Sequence, residues 1–446
     1  MRVLCRPSNF SCREWTALPE GPENCKNSRT SWVPTMQVAR TMQVARTTLR
    51  GAVGAQVSAG ATSTPTPTKR KGFDFYHESL GSPKYIVAPM VDGSELAWRI
   101  LSRRYGATLC YSPMIHARLF AECAKFRANN FSTCDIDRPL IVQFCANDPE
   151  TLLEAARHVE NDCDGVDINL GCPQKIAKRG NYGAYLQDDW DTIEKMVSTL
   201  HEHLKVPVTC KIRIFDDVRR TVAYAQMLEG AGCQMLAVHG RTREQKGHQT
   251  GLANWSVIKK VRESVRIPVI SNGNILSVDD ANECIRTLGV HGVMSAEPNL
   301  YNPCIFSGVH PPCWLIGEEY VRLCMKHPPR NLGLVKGHLF KVMRRVFNKF
   351  RDLNQMLAQA EDYDGILKVL LAARSNVIDD VHRNSTNADE KMEQLEWIKR
   401  CELAMSRPSH ERLVGAFEQR RGTTDSRAVA DHLFYYQTQS FVRPDK

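Results

Sequence analysis

From Tyr85 onward the chain alternates short apolar runs with amphipathic stretches. The runs are YIVAPM, ATLCYSPM, PLIVQFCA, DGVDINLG, PVTCKIRI, CQMLAVHG, IPVISNG and HGVMSAE. They predict eight strands. Because the runs are apolar at nearly every position, the strands are buried on both faces, as parallel strands covered by helices are. Helical spacing fills most of the gaps, at residues 94–105, 149–160, 191–204, 217–230, 255–264 and 278–288. Eight such repeats in roughly 220 residues match an α/β (β/α)8 TIM barrel, which typically needs about 250. A doubly wound sheet is the competing architecture. The polar residues decide between them, since almost every run ends in polar or glycine residues on its C-terminal side, and a barrel gathers those ends at one mouth.

Past Pro329 the strand signal stops. LVKGHLFKVMRRVFNKF sets Val335, Leu339, Val342, Val346 and Phe350 on one stripe of a single helix, with Lys336, Lys341, Arg344, Arg345, Lys349 and Arg351 around the rest. Helical patterns recur at 366–374 and 390–405. The expected organisation is a basic N-terminal arm over 1–72, a catalytic barrel over 73–325, a helical domain over 326–405 and a polar tail over 406–446. The arm repeats TMQVAR at 35–46 and then turns rich in Gly, Ala, Ser, Thr and Pro, a composition expected to stay disordered, as is that of the tail.

Composition changes this picture in three places. Hydrophobic residues at 42% and charged residues at 24% exclude a wholly disordered or fibrous chain. No apolar run approaches the ~20 residues of a membrane-spanning helix. The net charge of +10 suggests nucleic acid, but eleven Lys or Arg against three Glu up to Gly72 give +8, leaving +2 for everything after. RNA binding by the folded part therefore has to rest on a local patch. On charge alone the basic helix face is as well explained by solvation. The arm's Arg and Ser/Thr content keeps organelle targeting open, with Glu14, Glu20 and Glu23 running against it. The expected location is otherwise cytoplasmic or nuclear.

Sixteen cysteines lie scattered through apolar runs, and no Cys-x-x-Cys pair occurs, so a disulfide framework and a structural metal are not expected. One cysteine differs from the rest. In DGVDINLGCPQKIAKRGNYGAYL, Asn169 ends a strand and Cys172 sits on the Gly-Cys-Pro loop after it. A buried small hydrophobe fits the other cysteines better than it fits this one.

Together with VAPMVDGSELAWR, LIVQFCAND, CKIR, VHGRT, ISNGNI and MSAE, in that order and spacing, this string resembles the tRNA-dihydrouridine synthases. The resemblance covers about residues 84–303, and the helical region after it also fits. APMVDGSELAWR and NLGCPQKIAKRGNYGAYLQD look most like the eukaryotic subgroup acting at positions 16 and 17 of the tRNA D-loop. The resemblance implies an FMN enzyme reduced by NADPH or NADH. Flavin N5 then passes hydride to C6 of a uracil, Cys172 delivers a proton to C5, and the helical domain helps dock tRNA. It also implies that Gln143, Lys211 and His239 contact the flavin ring and that Pro89, Met90 and Val91 line its dimethylbenzene side. Asn272, Gly273 and Asn274, with Ala296 and Glu297, take its phosphate through backbone groups, Asn169 holds the uracil edge, and Arg213 reaches the uridine or a nearby phosphate. The expected assembly is a monomer, with no metal and no membrane partner.

Several of these assignments have independent physical support. Hydride addition at C6 builds negative charge on C5 and O4, so a positioned acid should contribute about 10²–10⁴ in rate. A thiol of ordinary pKa, ~8.5, is protonated roughly thirty to one at neutral pH yet can still release its proton. A nucleophilic thiolate is the rival reading, and it wants a neighbouring His or cation closer in the sequence than Lys175. Lys211, inside an apolar strand, either meets negative charge at the flavin ring or extends to the rim, and a charge in a strand buried on both faces favours the former. His239 alone is weak evidence, and an isolated Asn-Gly-Asn is an ordinary turn. The rival functions are an FMN barrel acting on a free pyrimidine, in the manner of dihydroorotate dehydrogenase, and a tRNA-binding protein with a vestigial flavin site.

Overall fold

The computed structural model describes residues 69–385 and 387–405. The arm up to residue 68 and the tail from 406 lie outside them. All eight apolar runs form strands: β1 Tyr85–Val87, β2 Leu109–Tyr111, β3 Leu140–Cys145, β4 Gly165–Leu170, β5 Val208–Arg213, β6 Leu236–His239, β7 Val269–Asn272 and β8 Gly292–Ser295. Each pairs in parallel with the next, and Met294 of β8 returns to pair with Ile86 of β1, so the sheet closes into a (β/α)8 barrel. A two-residue spur, Ile115–His116, adds to the C-terminal end of β3.

Alternation along each strand separates two cores. Outward residues such as Val142, Ile168, Cys210 and Val238 pack under the surrounding helices. Inward residues Ile86, Leu109, Tyr111, Ile141, Met235, Ala237, Ile270 and Met294 fill the barrel, together with Phe75, Tyr76 and Leu80 from the segment before β1. That segment plugs the N-terminal end. The Tyr76 hydroxyl donates to the Pro83 and His291 carbonyls at 3.0 and 2.7 Å, just ahead of β1 and β8. Gly165 and Gly292 make room there: a Cβ on the first would lie 3.2 Å from the Phe75 ring, and one on the second 2.6 Å from the Pro83 carbonyl oxygen.

The barrel helices begin where capping side chains occur. Asp148, Asp189, Asp217, Asn254 and Ser277 each accept an N–H from the first turn of the helix that follows. Among the described residues no helix is long and apolar enough to cross a membrane.

The helical region differs from the sequence expectation in two ways. The single helix through 335–350 is two, Leu332–Val342 and Arg344–Lys349, broken at Met343. The stripe is really double: Met343 and Phe347 are buried beside Val342 and Val346, and a bend turns both rows onto one core. An additional helix, Cys313–Lys326, precedes them and is buried along most of its length. It shares a second core with Trp98 and Leu101 of the first barrel helix, Leu96–Arg104, and with Leu339, Phe347, Ile366 and Leu370. Polar ties reinforce this junction: His338 Nε2 to Glu95 at 2.9 Å, Arg330 to Asp92 at 2.8 Å, and Arg104 to Glu319 at 2.6 Å. The helical region is thus fastened to the loop and helix that follow β1, one side of the barrel mouth.

Candidate active site

One inward step of two residues beyond the barrel core, the side chains become polar. Ile141 is followed by Gln143, Gly165 by Asp167 and Asn169, Thr209 by Lys211 and Arg213, Ala237 by His239, and Ile270 by Asn272. Register keeps them level: Gln143 lies beside Asp167, Asn169 beside Lys211, Arg213 beside His239, and His239 beside Asn272. The mouth is a ring built by strand geometry.

A chain of hydrogen bonds runs up one side of it. The Thr209 hydroxyl donates to Asp167 at 2.7 Å, Gln143 Nε2 donates to the other Asp167 oxygen at 2.8 Å, and Asn169 Nδ2 donates to Gln143 Oε1 at 2.8 Å. Asn169 Oδ1 then accepts the backbone N–H groups of Gly171 and Cys172 at 3.1 and 2.9 Å. Burial raises the Asp167 carboxyl to about 6, against these hydrogen bonds and the attraction of Lys211. Since a carboxylate accepts only, it forces the Gln143 amide to present its nitrogen downward and its oxygen to Asn169, which fixes the Asn169 amide in turn.

Cys172 stands at the top of this chain. It is half-buried at the edge of a cluster of Cys145, Ala177 and Tyr182, with Met114 and Tyr185 beside it. The Cys172 carbonyl accepts from the Ala184 N–H at 3.1 Å, and a Cβ on Gly183 would lie 2.8 Å from that oxygen. Gly183 also has φ +63°, so glycine is required twice over. Arg213 clamps the loop from the next strand, donating to the Gly171 carbonyl at 2.8 Å and to the Thr242 and Gln245 carbonyls at 2.7 and 3.1 Å. Burial and the neighbouring Arg241 lower Arg213 to about 10. A negative charge on Cys172 would favour the charged forms of both Lys211 and Arg213, so the cations absent from its sequence neighbourhood are supplied by β5.

Lys211 is set differently. Among the described residues its ammonium group has no hydrogen bond or ion pair, and burial together with Arg213 lowers it to about 8. An ammonium held in a barrel mouth without a protein partner suits an anionic ligand atom. His239 receives the Nη1–H of Arg241 on Nε2 at 3.0 Å. Arginine only donates, so Nε2 is the unprotonated nitrogen and Nδ1 carries the hydrogen. Burial and the charges of Lys211, Arg213 and Arg241 hold His239 well below its usual range, which keeps this neutral tautomer. The Asn-Gly-Asn segment wraps the same ring. Gly273, at φ +115°, would put a Cβ 2.7 Å from that of Ala253 and 3.2 Å from the His239 ring, while Asn274, at φ 60°, takes Arg241 Nη2 and the Ala253 N–H on its side-chain oxygen. These residues fit a flat anionic heterocycle with a phosphate at the far loops.

The structure gathers every sequence-predicted site residue at this one face. Pro89, Met90 and Val91 follow β1, Gln143 is in β3, and Asn169 and Cys172 are at the end of β4. Lys211 and Arg213 are in β5, His239 ends β6, Asn272 to Asn274 end and follow β7, and Ala296 and Glu297 follow β8. Asn169, Gln143 and Arg213 carry their hydrogen bonds to the protein itself, and so shape the Cys172 loop. The residues the sequence reading passed over are Asp167, Gly183 and Arg241. Asp167 had a visible signal, since it faces the same way as Asn169, two positions earlier in an otherwise apolar strand. On the helical face expected to meet RNA, Lys349 pairs with Asp380, Lys336 donates to the Ala358 carbonyl at 2.9 Å, and Arg344 lies over the Tyr301 ring at 5.7 Å.

Comparison with known proteins gives a consistent outcome. The family Dihydrouridine synthase (Dus) matches residues 86–401. A Mus musculus protein named tRNA-dihydrouridine(16/17) synthase, NAD(P)(+)-like, is 51% identical over 317 residues, 71% of this chain and 66% of that protein. A Saccharomyces cerevisiae tRNA-dihydrouridine(16/17) synthase is 50% identical over 307 residues, 65% of this chain and 71% of its own length. One from Schizosaccharomyces pombe is 45% identical over 344 residues, 73% of this chain and 86% of its own. The chain thus spans about two thirds of the mouse relative's length.

Proposed function

The chain belongs to the dihydrouridine synthase family, and from that membership and the geometry of the mouth we propose that it is a flavin-dependent oxidoreductase reducing the C5–C6 double bond of uridines in the tRNA D-loop, at positions 16 and 17. One observation carries the reading: the loop that holds Cys172 and the Lys211 ammonium, which has no hydrogen bond or ion pair among the described residues, open onto the same barrel mouth.

FMN, reduced by NADPH, would supply a hydride to C6 of the uracil when bound there. Lys211 and the Nδ1–H of His239 would hold the electron-rich edge of its ring, with Gln143 below, Pro89 to Val91 at the apolar edge, and the backbone of Gly273, Asn274, Ala296 and Glu297 at its phosphate. Cys172 acts as the acid, passing its Sγ proton to C5 on the opposite face of the base. Its backbone is fixed from three sides, by Asn169 Oδ1, the Ala184 N–H and, through Gly171, Arg213. Such fixation matters because proton transfer demands hydrogen-bond distance in the reacting geometry. The uridine must leave its stack to enter, which costs a few kcal/mol and less in a loop than in a duplex. The helical region, fastened to the β1 side of the mouth, sets how the tRNA lies across it.

The test is to incubate unmodified tRNA with the FMN-loaded protein and NADPH and to count dihydrouridine by mass spectrometry. Wild type yields it, while Cys172→Ala keeps its flavin and loses about 10²–10⁴ in rate. An unchanged rate in the variant, or activity on free uridine equal to that on tRNA, would overturn the reading.

A further inference from the structure

Beside the mouth lies a cleft that the chemistry above does not use. It encloses about 480 Å³ and is lined by Lys178, Tyr185, Arg243, Glu244, Lys246 and Gln249. Two loops build it. Lys178 comes from the short helix Lys175–Arg179 directly after the Cys172 loop, and residues 243–249 come from the segment after β6.

Its charges are unequally satisfied. Arg243 is paired with Asp188 at 2.8 Å and Glu244 at 3.0 Å. Among the described residues Lys246 donates only to neutral oxygens, the Pro173 carbonyl at 3.0 Å and the Tyr185 hydroxyl at 2.7 Å. The Lys178 ammonium is exposed and makes no hydrogen bond or ion pair among the described residues. Between these cations stands an aromatic ring, with Lys246 Nζ 5.4 Å and the Arg243 guanidinium carbon 5.6 Å from the Tyr185 centroid. The Tyr185 hydroxyl donates to the same Pro173 carbonyl at 3.1 Å. The cleft wall is therefore tied by two hydrogen bonds to the residue that follows Cys172.

We infer that this cleft binds the nucleotide next to the target uridine, its phosphodiester on Lys178 and Lys246 and its base on the face of Tyr185. The inference rests on the tRNA reading above and extends it to a second base. Two cations without carboxylate partners beside a half-buried ring are the elements of a single-strand subsite, where charge tracks the backbone and stacking tolerates any base. Continuity favours RNA, since an occupant that abuts Pro173 adjoins the base facing Cys172. Charge favours it as well. A phosphodiester carries one negative charge, whereas the phosphomonoester of a phosphorylated dinucleotide carries nearly two and would sit against Glu244.

The experiment measures tRNA affinity of the flavin-loaded protein across a salt series. Lys178→Ala with Lys246→Ala should weaken binding about tenfold near physiological salt and lower the slope of log Kd against log salt by about 1 per cation. Tyr185→Leu should weaken it about tenfold with the slope unchanged, and Tyr185→Phe, which keeps the ring and loses the hydroxyl's bonds to Pro173 and Lys246, should restore most of it. Lys178→Ala alone guards against loop damage, because its ammonium holds nothing in place. Unchanged affinity and slope in these variants would overturn the inference, as would a cleft whose loss raises the NADPH needed for flavin reduction and spares tRNA binding. If wild type makes dihydrouridine while the variants bind tRNA normally, the subsite alone fails. If wild type makes none, the functional reading fails first.

Discussion

The two ends of the barrel are made by the same strands and behave as different materials. At the closed end, Ile86, Ile141, Ile270 and Met294 meet the plug of Phe75, Tyr76 and Leu80 by apolar contact, with the Tyr76 hydroxyl bonded to two backbone carbonyls at its edge. At the open end, two residues further along, Gln143, Asp167, Asn169, Lys211 and His239 form a polar ring whose members are buried or half-buried yet individually costly to bury. Height along a strand, and not which strand a residue belongs to, decides whether it serves stability or chemistry.

Three substitutions or conditions probe that division. The largest effect belongs to the closed end: Phe75→Ala should cost about 3–5 kcal/mol in a denaturant titration. The protein that remains folded should keep its specific activity, and a proportionate loss of activity would erase the distinction between the ends. Next, Gly183→Ala forces a Cβ against the Cys172 carbonyl and strains a positive φ. A shift of about 1 Å at the acid costs on the order of 10²-fold in rate, so kcat should fall by that much with flavin content intact. A fall in flavin content to match would make Gly183 a general structural residue. The smallest effect is a titration. Lys211, a cation lowered to about 8, loses its proton as pH rises through that value. FMN affinity of the apoprotein should be level below pH 8 and fall toward tenfold per pH unit above it, measured by flavin fluorescence. In Lys211→Met the affinity should be weak and flat with pH.

Much of this was legible beforehand because eight strands buried on both faces leave an unbroken apolar signature, and the Gly-Cys-Pro loop stands out from it. The helix Cys313–Lys326 was not. Packed between the first barrel helix and the rest of the helical region, it is buried round most of its circumference, and its polar stripe narrows to Glu318, Arg322 and Lys326 beside a buried Glu319 that blurs the period. The kink at Met343 was hidden for a related reason: two adjacent buried rows look like one broad stripe until a bend separates them. In the site, residue identities were readable but their partners were not. Asn169 and Arg213 looked like ligand contacts, but Asn169 closes a local turn onto the N–H groups of Gly171 and Cys172, two and three residues on, and Arg213 bonds to Gly171, Thr242 and Gln245 on loops that only the closed barrel brings near. Asp167 orients Asn169 through Gln143, across one register pair of β3 and β4 that no local spacing encodes.

The plug has a consequence for how the chain is made. Tyr76 is translated before any strand, yet one acceptor of its hydroxyl is the carbonyl of His291, which is 215 residues later. At about 5–20 residues per second, the ribosome needs on the order of 10 to 40 s to deliver that partner. Through that interval Phe75, Tyr76 and Leu80 await the wall they will seal, so the earliest-synthesised apolar segment of the barrel is among the last to be locked.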